Sequence, residues 1–178
     1  MTINLPNIIT VIRILIVPLF VIFLQKDLFF LSLVVFTIAA ISDGLDGLLA
    51  RYLNQRTTLG AYLDPIADKM LMASAFVTLT ILKIFPFWLS VIVISRDILI
   101  MTGIIIYTVA DIKVEIKPSL LSKWTTFFQL LTVFIVLLYQ VIPTEIPEAF
   151  SSFLFGFTST ITILSGLHYI YKGMNIQQ

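Results

Sequence analysis

The sequence contains no cysteine, and only 12% of its 178 residues are charged. Without cysteine the chain has no disulfide framework, no thiolate metal site and no thiol nucleophile. A soluble domain of this length would be about a quarter charged. Since 59% of the residues are hydrophobic, the excess of apolar side chains has to be solvated by lipid, and we predict an integral membrane protein.

The sequence also lacks the basic strand pattern that accompanies base-stacking aromatics in nucleic-acid-binding proteins. Its 15 phenylalanines are therefore expected to face membrane lipid or to pack in the core. No nucleic-acid partner is expected.

Six apolar stretches are each long enough to cross a bilayer, which takes about 17–25 helical residues. They occupy residues 8–25, 28–49, 65–83, 86–110, 121–142 and 150–171. Turn and charge signals separate the stretches. We therefore predict an all-α integral membrane protein with about six transmembrane helices, a short interfacial N-terminal segment over residues 4–10, and a single domain over residues 1–178.

The basic residues predict the orientation of these spans. With the N-terminus in the cytoplasm, seven lysines and arginines lie in cytoplasmic segments and two lie on the opposite side. This asymmetry follows the positive-inside rule. Both termini are then expected to face the cytoplasm, at a bacterial inner membrane.

Four aspartates lie where the second span ends and the third begins: Asp43, Asp46, Asp64 and Asp68. Left uncompensated near hydrocarbon, four carboxylates would cost on the order of 10–14 kcal/mol. The spacings of three and four residues put each pair on one face of a helix. Oxygen ligands without nearby histidine or cysteine favour a hard cation, so we expect one or two Mg²⁺ or Mn²⁺ ions and phosphate chemistry.

Small residues among the aspartates leave room for a planar ligand. Gly47 and Ala50 have small side chains that leave the backbone accessible. Arg51 can donate two parallel hydrogen bonds to a phosphate, and Thr57 can contribute a hydroxyl group. In the alternative interpretation the aspartates are structural and pair with basic side chains at the helix ends, which would explain one or two of the four.

The string of residues 43–68 resembles the motif of the CDP-alcohol phosphotransferases, D-x2-D-G-x2-A-R-x8-G-x3-D-x3-D. The matching positions are Asp43, Asp46, Gly47, Ala50, Arg51, Gly60, Asp64 and Asp68. The resemblance implies six helices and direct transfer of a substituted phosphate from a CDP-linked donor to an acceptor hydroxyl, with release of CMP.

The resemblance also implies residue roles and a homodimer. Asp43, Asp46 and Asp64 would ligate metal, and Asp68 would ligate the second metal ion and act as general base on the acceptor hydroxyl. The residues implied or suspected to contact the CDP group are Gly47, Ala50, Arg51, Thr57 and Gly60, with Asn7 and Thr10 from the N-terminal segment.

A second informative region begins at Arg96 and Asp97, which lie in an otherwise apolar span. Arg96 either forms an internal ion pair with the acidic cluster or binds a phosphate of the acceptor. Lys117 and Lys123 either serve as orientation charges or bind a second phosphate.

Two branches of the family make anionic glycerolipids from CDP-diacylglycerol. One uses glycerol 3-phosphate as acceptor and the other uses phosphatidylglycerol, giving cardiolipin. Residues 94–97, 117–119, 122–123 and 168–169 resemble the cardiolipin branch. The other branch usually has a glutamate at the position of Asp97 and a second arginine at the position of Ile104. A phosphomonoester needs more cationic partners than a phosphodiester, so we favour phosphatidylglycerol over glycerol 3-phosphate, with inositol phosphate or serine as more distant alternatives.

The sequence argues against two other classes of protein. A cation transporter would need charged or polar residues to midplane depth in several spans, and spans one, five and six have almost none. A structural subunit would not need Gly47, Arg51 and Gly60 at the motif spacing.

Overall fold

The structure is a computed structural model of the chain. It describes the backbone of residues 5–52, 58–109, 119–142, 144 and 146–174, and the side chains of these residues except 5–11, 43–52, 58–68, 104, 107–109 and 174. The described backbone is all-helical and contains no strand. The six helices are α1 (Leu5–Gln25), α2 (Phe29–Tyr52), α3 (Thr58–Ile81), α4 (Phe87–Val109), α5 (Leu120–Val141) and α6 (Glu148–Met174).

The predicted all-α class and the six helices are confirmed, and two helices begin three or more residues before the predicted spans. The first begins at Leu5, so most of the predicted interfacial N-terminal segment is helical. Pro6 occupies the first turn of this helix, where its N–H would have had no partner within the helix. The third begins at Thr58 rather than at residue 65. Hydropathy alone does not find these additional seven residues, about two helical turns, because Gly60 and Asp64 interrupt the apolar run.

The helices α1 and α3 end in the same hydrogen-bonded cap. After α1, the Leu28 N–H donates to the Phe23 carbonyl (2.9 Å), and Asp27 has a φ of 57°. After α3, the Ile84 N–H donates to the Leu79 carbonyl (2.9 Å), and Lys83 has a φ of 60°. This is the Schellman arrangement, which satisfies helix-end carbonyls through one left-handed residue. It stops each helix sharply at the predicted turn.

The chain forms two compact units. Unit 1 comprises Met1–Ile84 and Val133–Glu145. Within it, α1 packs against both α2 and α3. Phe20 and Phe36 are buried with ring centroids 5.7 Å apart, and most other described buried side chains of this unit are also apolar.

Unit 2 comprises Phe85–Thr132 and Ile146–Gln178. Within it, α4 packs against α6, and Phe85 meets Phe155 edge to face with centroids 5.4 Å apart. Its interior differs from that of unit 1, because hydroxyl, amide and charged side chains make up most of its described buried residues.

The exposed surface of the helices is rich in large apolar side chains. Along α1, for example, Ile12, Leu15, Leu19 and Ile22 are all exposed, and their spacing puts them on one helix face. A surface of this kind is expected where the solvent is lipid. Among the described residues, two helical segments are long and apolar enough to cross a membrane, Leu120–Val141 and Glu148–Gly173.

Candidate functional site

The aspartates of the motif lie on two helices of unit 1. Asp43 and Asp46 are near the C-terminal end of α2, and Asp64 and Asp68 are in the N-terminal half of α3. Residues 53–57, between the two helices, lie outside the described backbone. Since each pair is on one continuous helix, the predicted sharing of a helix face within each pair agrees with the backbone.

The side chains of this motif lie outside the described ones, so their predicted ligand roles remain predictions. The same holds for the predicted nucleotide contacts and for one predicted acceptor residue. These residues are Asn7, Thr10, Asp43, Asp46, Gly47, Ala50, Arg51, Thr57, Gly60, Asp64, Asp68 and Lys117.

The backbone does place the N-terminal candidates on a helix that touches both motif helices. Asn7 and Thr10 belong to α1, and α1 packs against α2 and α3. The three helices that carry every predicted nucleotide contact except Thr57 therefore belong to one compact unit.

The predicted metal ligands are chemically uniform. All four are carboxylates, the ligand type that Mg²⁺ and Mn²⁺ prefer. Among the described side chains, which do not include those of the motif, there is no group of three or more histidines, aspartates or glutamates close enough to hold a metal ion.

Arg96, a predicted acceptor residue, is buried in unit 2 with 5% of its surface exposed. Its Nη1 donates to Oδ1 of Asp97 at 2.7 Å. Its Nη2 donates to the Oγ of Ser122 on α5 at 2.6 Å and to the Oγ of Ser165 on α6 at 3.0 Å. One guanidinium thus joins three helices of the unit.

The alternative prediction pairs Arg96 with the acidic cluster. The structure describes a different ion pair for Arg96. That pair is with Asp97, the next residue along α4. The pair brings a buried positive charge and a buried negative charge together, as burial requires. The buried Nε of Arg96 has no hydrogen-bond partner among the described residues, so these contacts do not use all the donors of the guanidinium.

The predicted acceptor residue Lys123 directly follows Ser122, a hydrogen-bond partner of this guanidinium, but Lys123 is exposed. It belongs to the first turn of α5, where Ser119 caps the helix by accepting a hydrogen bond from the Ser122 N–H at 3.1 Å. The structure therefore brings together Arg96 and the turn that carries Lys123, although only Arg96 is buried.

A row of polar side chains joins α5 to α6. Thr125 bonds to the Ile161 carbonyl (3.3 Å), Gln129 Nε2 donates to Thr162 Oγ1 (3.2 Å), and Thr132 and Thr158 share a hydrogen bond of 2.7 Å. We call this row the α5–α6 seam, defined by residues 125, 129, 132, 158, 161 and 162. All of its polar side chains are buried.

Sequence reasoning missed the α5–α6 seam because it counted charges and overlooked hydroxyl and amide groups. The signal was present: the spacing of Thr125, Gln129 and Thr132 puts them on one face of a helix, as does the spacing of Thr158 and Thr162. The same reasoning assigned no role to Arg13, which is 1% exposed inside unit 1. Spans one, five and six are therefore less uniformly apolar than the argument against a transporter assumed.

Comparison with known proteins gives a match along nearly the whole chain. The family model described as CDP-alcohol phosphatidyltransferase matches residues 3–165. The CDP-diacylglycerol–glycerol-3-phosphate 3-phosphatidyltransferase of Wigglesworthia glossinidia brevipalpis is 34% identical, covering 96% of this chain and 95% of its own. The enzyme of the same name from Bacillus subtilis is 30% identical, covering 95% and 94%. The human cardiolipin synthase (CMP-forming) is 29% identical, covering 98% of this chain and 63% of its own.

Proposed function

Because the chain belongs to the CDP-alcohol phosphatidyltransferase family and is thus an enzyme of phospholipid synthesis, we propose that it transfers the phosphatidyl group of CDP-diacylglycerol to a glycerol-type hydroxyl and releases CMP. The observation that carries this proposal is the family match over residues 3–165, which contains all eight motif positions at the family's spacing. The names of the Wigglesworthia and Bacillus relatives supply the donor by analogy.

In this proposal the two motif helices do the chemistry. Asp43, Asp46, Asp64 and Asp68 would hold one or two Mg²⁺ or Mn²⁺ ions, which when bound neutralise pyrophosphate charge and stabilise the CMP leaving group. Asp68 also removes the proton from the attacking hydroxyl. The CDP moiety would be bound by Gly47, Ala50, Arg51, Thr57 and Gly60, with Asn7 and Thr10 of α1 as further contacts.

We propose phosphatidylglycerol as the acceptor, which makes the product cardiolipin. The support comes from Arg96, whose charge is already met by Asp97 at 2.7 Å. A pair with no net charge suits the single negative charge of a phosphodiester better than the two charges of a phosphomonoester. Arg96, Lys117 and Lys123 are the residues proposed to bind the acceptor.

Glycerol 3-phosphate is the second candidate acceptor. The observation that favours it is the similarity to the Wigglesworthia and Bacillus relatives, both of which are named for this acceptor. Since the human relative is named cardiolipin synthase, relatives at similar identity carry both names. The acceptor therefore has to be tested directly.

The remaining proposals concern the membrane orientation, the oligomeric state and the domain organisation of the enzyme. We propose that all six helices cross a bacterial inner membrane, with both termini and the motif on the cytoplasmic side, because seven basic residues against two follow the positive-inside rule. A homodimer and a single domain over residues 1–178 are proposed from the family resemblance.

The decisive experiment offers the purified enzyme CDP-diacylglycerol, Mg²⁺ or Mn²⁺, and one labelled acceptor at a time. We expect CMP release with phosphatidylglycerol and none with glycerol 3-phosphate above the rate without acceptor. The opposite pattern would replace our acceptor with the second candidate. Release with neither would refute the proposed reaction.

A further inference from the structure

We propose that Ser122 and Ser165 are positioning residues for Arg96, and that their hydroxyls fix the guanidinium so that its remaining donors meet the acceptor phosphate. This inference rests on the proposed acceptor role of Arg96. Neither serine has a role in the motif, and they lie 26 and 69 residues away from Arg96 along the chain.

The first argument is geometric. A terminal guanidinium nitrogen carries two hydrogens in a fixed plane. Here Nη2 donates to two hydroxyl oxygens, at 2.6 Å on α5 and 3.0 Å on α6, while Nη1 donates to Asp97. Three acceptors on three helices leave the plane of the guanidinium no freedom to rotate.

The second argument comes from the stem of the same side chain. A Cβ placed at Gly166 would lie 3.6 Å from the Cγ of Arg96, so α6 lies against the stem while Ser165 holds the head. Since the whole side chain is only 5% exposed, packing and hydrogen bonding restrict it together.

The third argument is that these two hydroxyls differ from their neighbours. Thr125, Thr132, Ser159 and Thr162 each donate to a carbonyl of their own helix, which is the usual use of a hydroxyl in an apolar helix. Within the described part of the chain, the hydroxyls of Ser122 and Ser165 instead accept from Arg96. Ser122 is itself fixed, because Ser119 caps the first turn of α5.

The proposed role of the two serines depends on the hydrogen-bond donors of Arg96 that they do not occupy. Among the described residues the buried Nε of Arg96 has no hydrogen-bond partner, and Nη1 has a second hydrogen beyond the one that Asp97 accepts. Each of these two donors can form a charge-assisted hydrogen bond to a phosphate oxygen. Holding Nη2 on the serines therefore fixes the directions in which both donors point.

The test is steady-state kinetics of the full-length enzyme in detergent or nanodiscs, with CDP-diacylglycerol and phosphatidylglycerol varied separately, and glycerol 3-phosphate in place of phosphatidylglycerol if that is the active acceptor. We expect Ser122→Ala/Ser165→Ala to raise the acceptor KM about tenfold, as removing hydrogen bonds to a charged group should. The donor KM should stay within about twofold. Ser165→Thr, which keeps the hydroxyl, should remain close to wild type.

Ser159→Ala is the matched control, because Ser159 is a buried serine of the same helix whose hydroxyl donates to Gly156 of its own chain segment at 2.8 Å. It should leave both KM values unchanged. An acceptor KM within twofold of wild type in the double variant, or an equal rise for Ser159→Ala or for the donor, would overturn the inference. Either single alanine variant serves the same comparison if the double variant does not fold.

A cycle with Arg96→Ala separates this inference from the proposed function. Arg96→Ala should raise the acceptor KM, and adding Ser165→Ala to it should have no further effect because the two act as a unit. If Arg96→Ala matters and the serines do not, only the positioning role fails. If Arg96→Ala leaves the acceptor KM unchanged, the acceptor role of Arg96 fails as well.

Discussion

Thirteen apolar and three polar or charged side chains are buried in the described part of unit 1, against five apolar and ten polar or charged ones in unit 2. The two units therefore hold their helices together in different ways. Unit 1 relies on side-chain packing around residues such as Phe20 and Phe36. Unit 2 relies on hydrogen bonds between helices, in the α5–α6 seam and around Arg96.

The difference matters because lipid provides little hydrophobic driving force between helices. Packing and interhelical hydrogen bonds remain, and the second of these also fixes polar groups at defined positions. Unit 1 carries the carboxylate motif in the C-terminal half of α2 and the N-terminal half of α3, and its described interior is mostly apolar although it also buries Arg13. Unit 2 buries Arg96 together with nine other polar or charged side chains in its described part, and such groups require hydrogen-bond partners.

The largest expected effect is on the chemistry proposed for unit 1. Asp68→Asn should lower turnover by about 10²–10⁴-fold, because the amide cannot take the proton of the acceptor hydroxyl. Binding of the CDP donor should be largely retained. The measurements are CMP release under saturating substrates and direct binding of CDP-diacylglycerol.

Asp27→Asn is the control for this loss of charge. Asp27 is exposed and holds the left-handed position after α1, a conformation that asparagine also adopts. It should turn over at the wild-type rate. A near-wild-type rate for Asp68→Asn would show that our choice of base is wrong.

The next largest effect should fall on the packing of unit 1. Phe20 is fully buried, and Phe20→Ala should lower the free energy of unfolding by about 3–5 kcal/mol through the cavity it leaves. Phe30→Ala, at a phenylalanine of α2 that is 63% exposed, should change it far less. Unfolding in detergent micelles followed by circular dichroism measures both, and equal losses would contradict the packing account of unit 1.

A smaller effect on the free energy of unfolding is expected in the α5–α6 seam. Thr132→Val keeps the shape of the side chain and removes its hydrogen bond to Thr158, so the free energy of unfolding should fall by about 0.6–1.7 kcal/mol. Thr160→Val is the control, since Thr160 is exposed and bonds only to the Gly156 carbonyl of its own helix among the described contacts. A loss as large as that of Phe20→Ala would remove the contrast between the two units.

The smallest effect should come from Gly156, inside α6. A Cβ added there would meet nothing within 4 Å. Gly156→Ala should therefore raise the free energy of unfolding by about 0.5 kcal/mol, because alanine loses less backbone entropy in a helix. The thermal midpoint in detergent should rise slightly, and a fall would mean that another group occupies this space.

Much of the fold follows from local sequence. Hydropathy and turn signals predict six helices, and the Asp43–Asp46 spacing is typical of a helix. The start of α3 was predicted too late, because polar motif residues interrupt its apolar run although the helix continues through them. The two Schellman caps have Asp27 and Lys83 in the left-handed conformation. Because this position is usually a glycine, the sequence did not predict either cap.

The sequence by itself determined the family, the carboxylate motif and the helical class, because these depend on residues close together in the chain. Only the tertiary structure decided which groups surround Arg96, since Ser122 and Ser165 come from two other helices and meet it through the packing of α4, α5 and α6. Serine and threonine are nearly neutral in hydropathy, so their burial as hydrogen-bond partners becomes visible only when the helices are assembled.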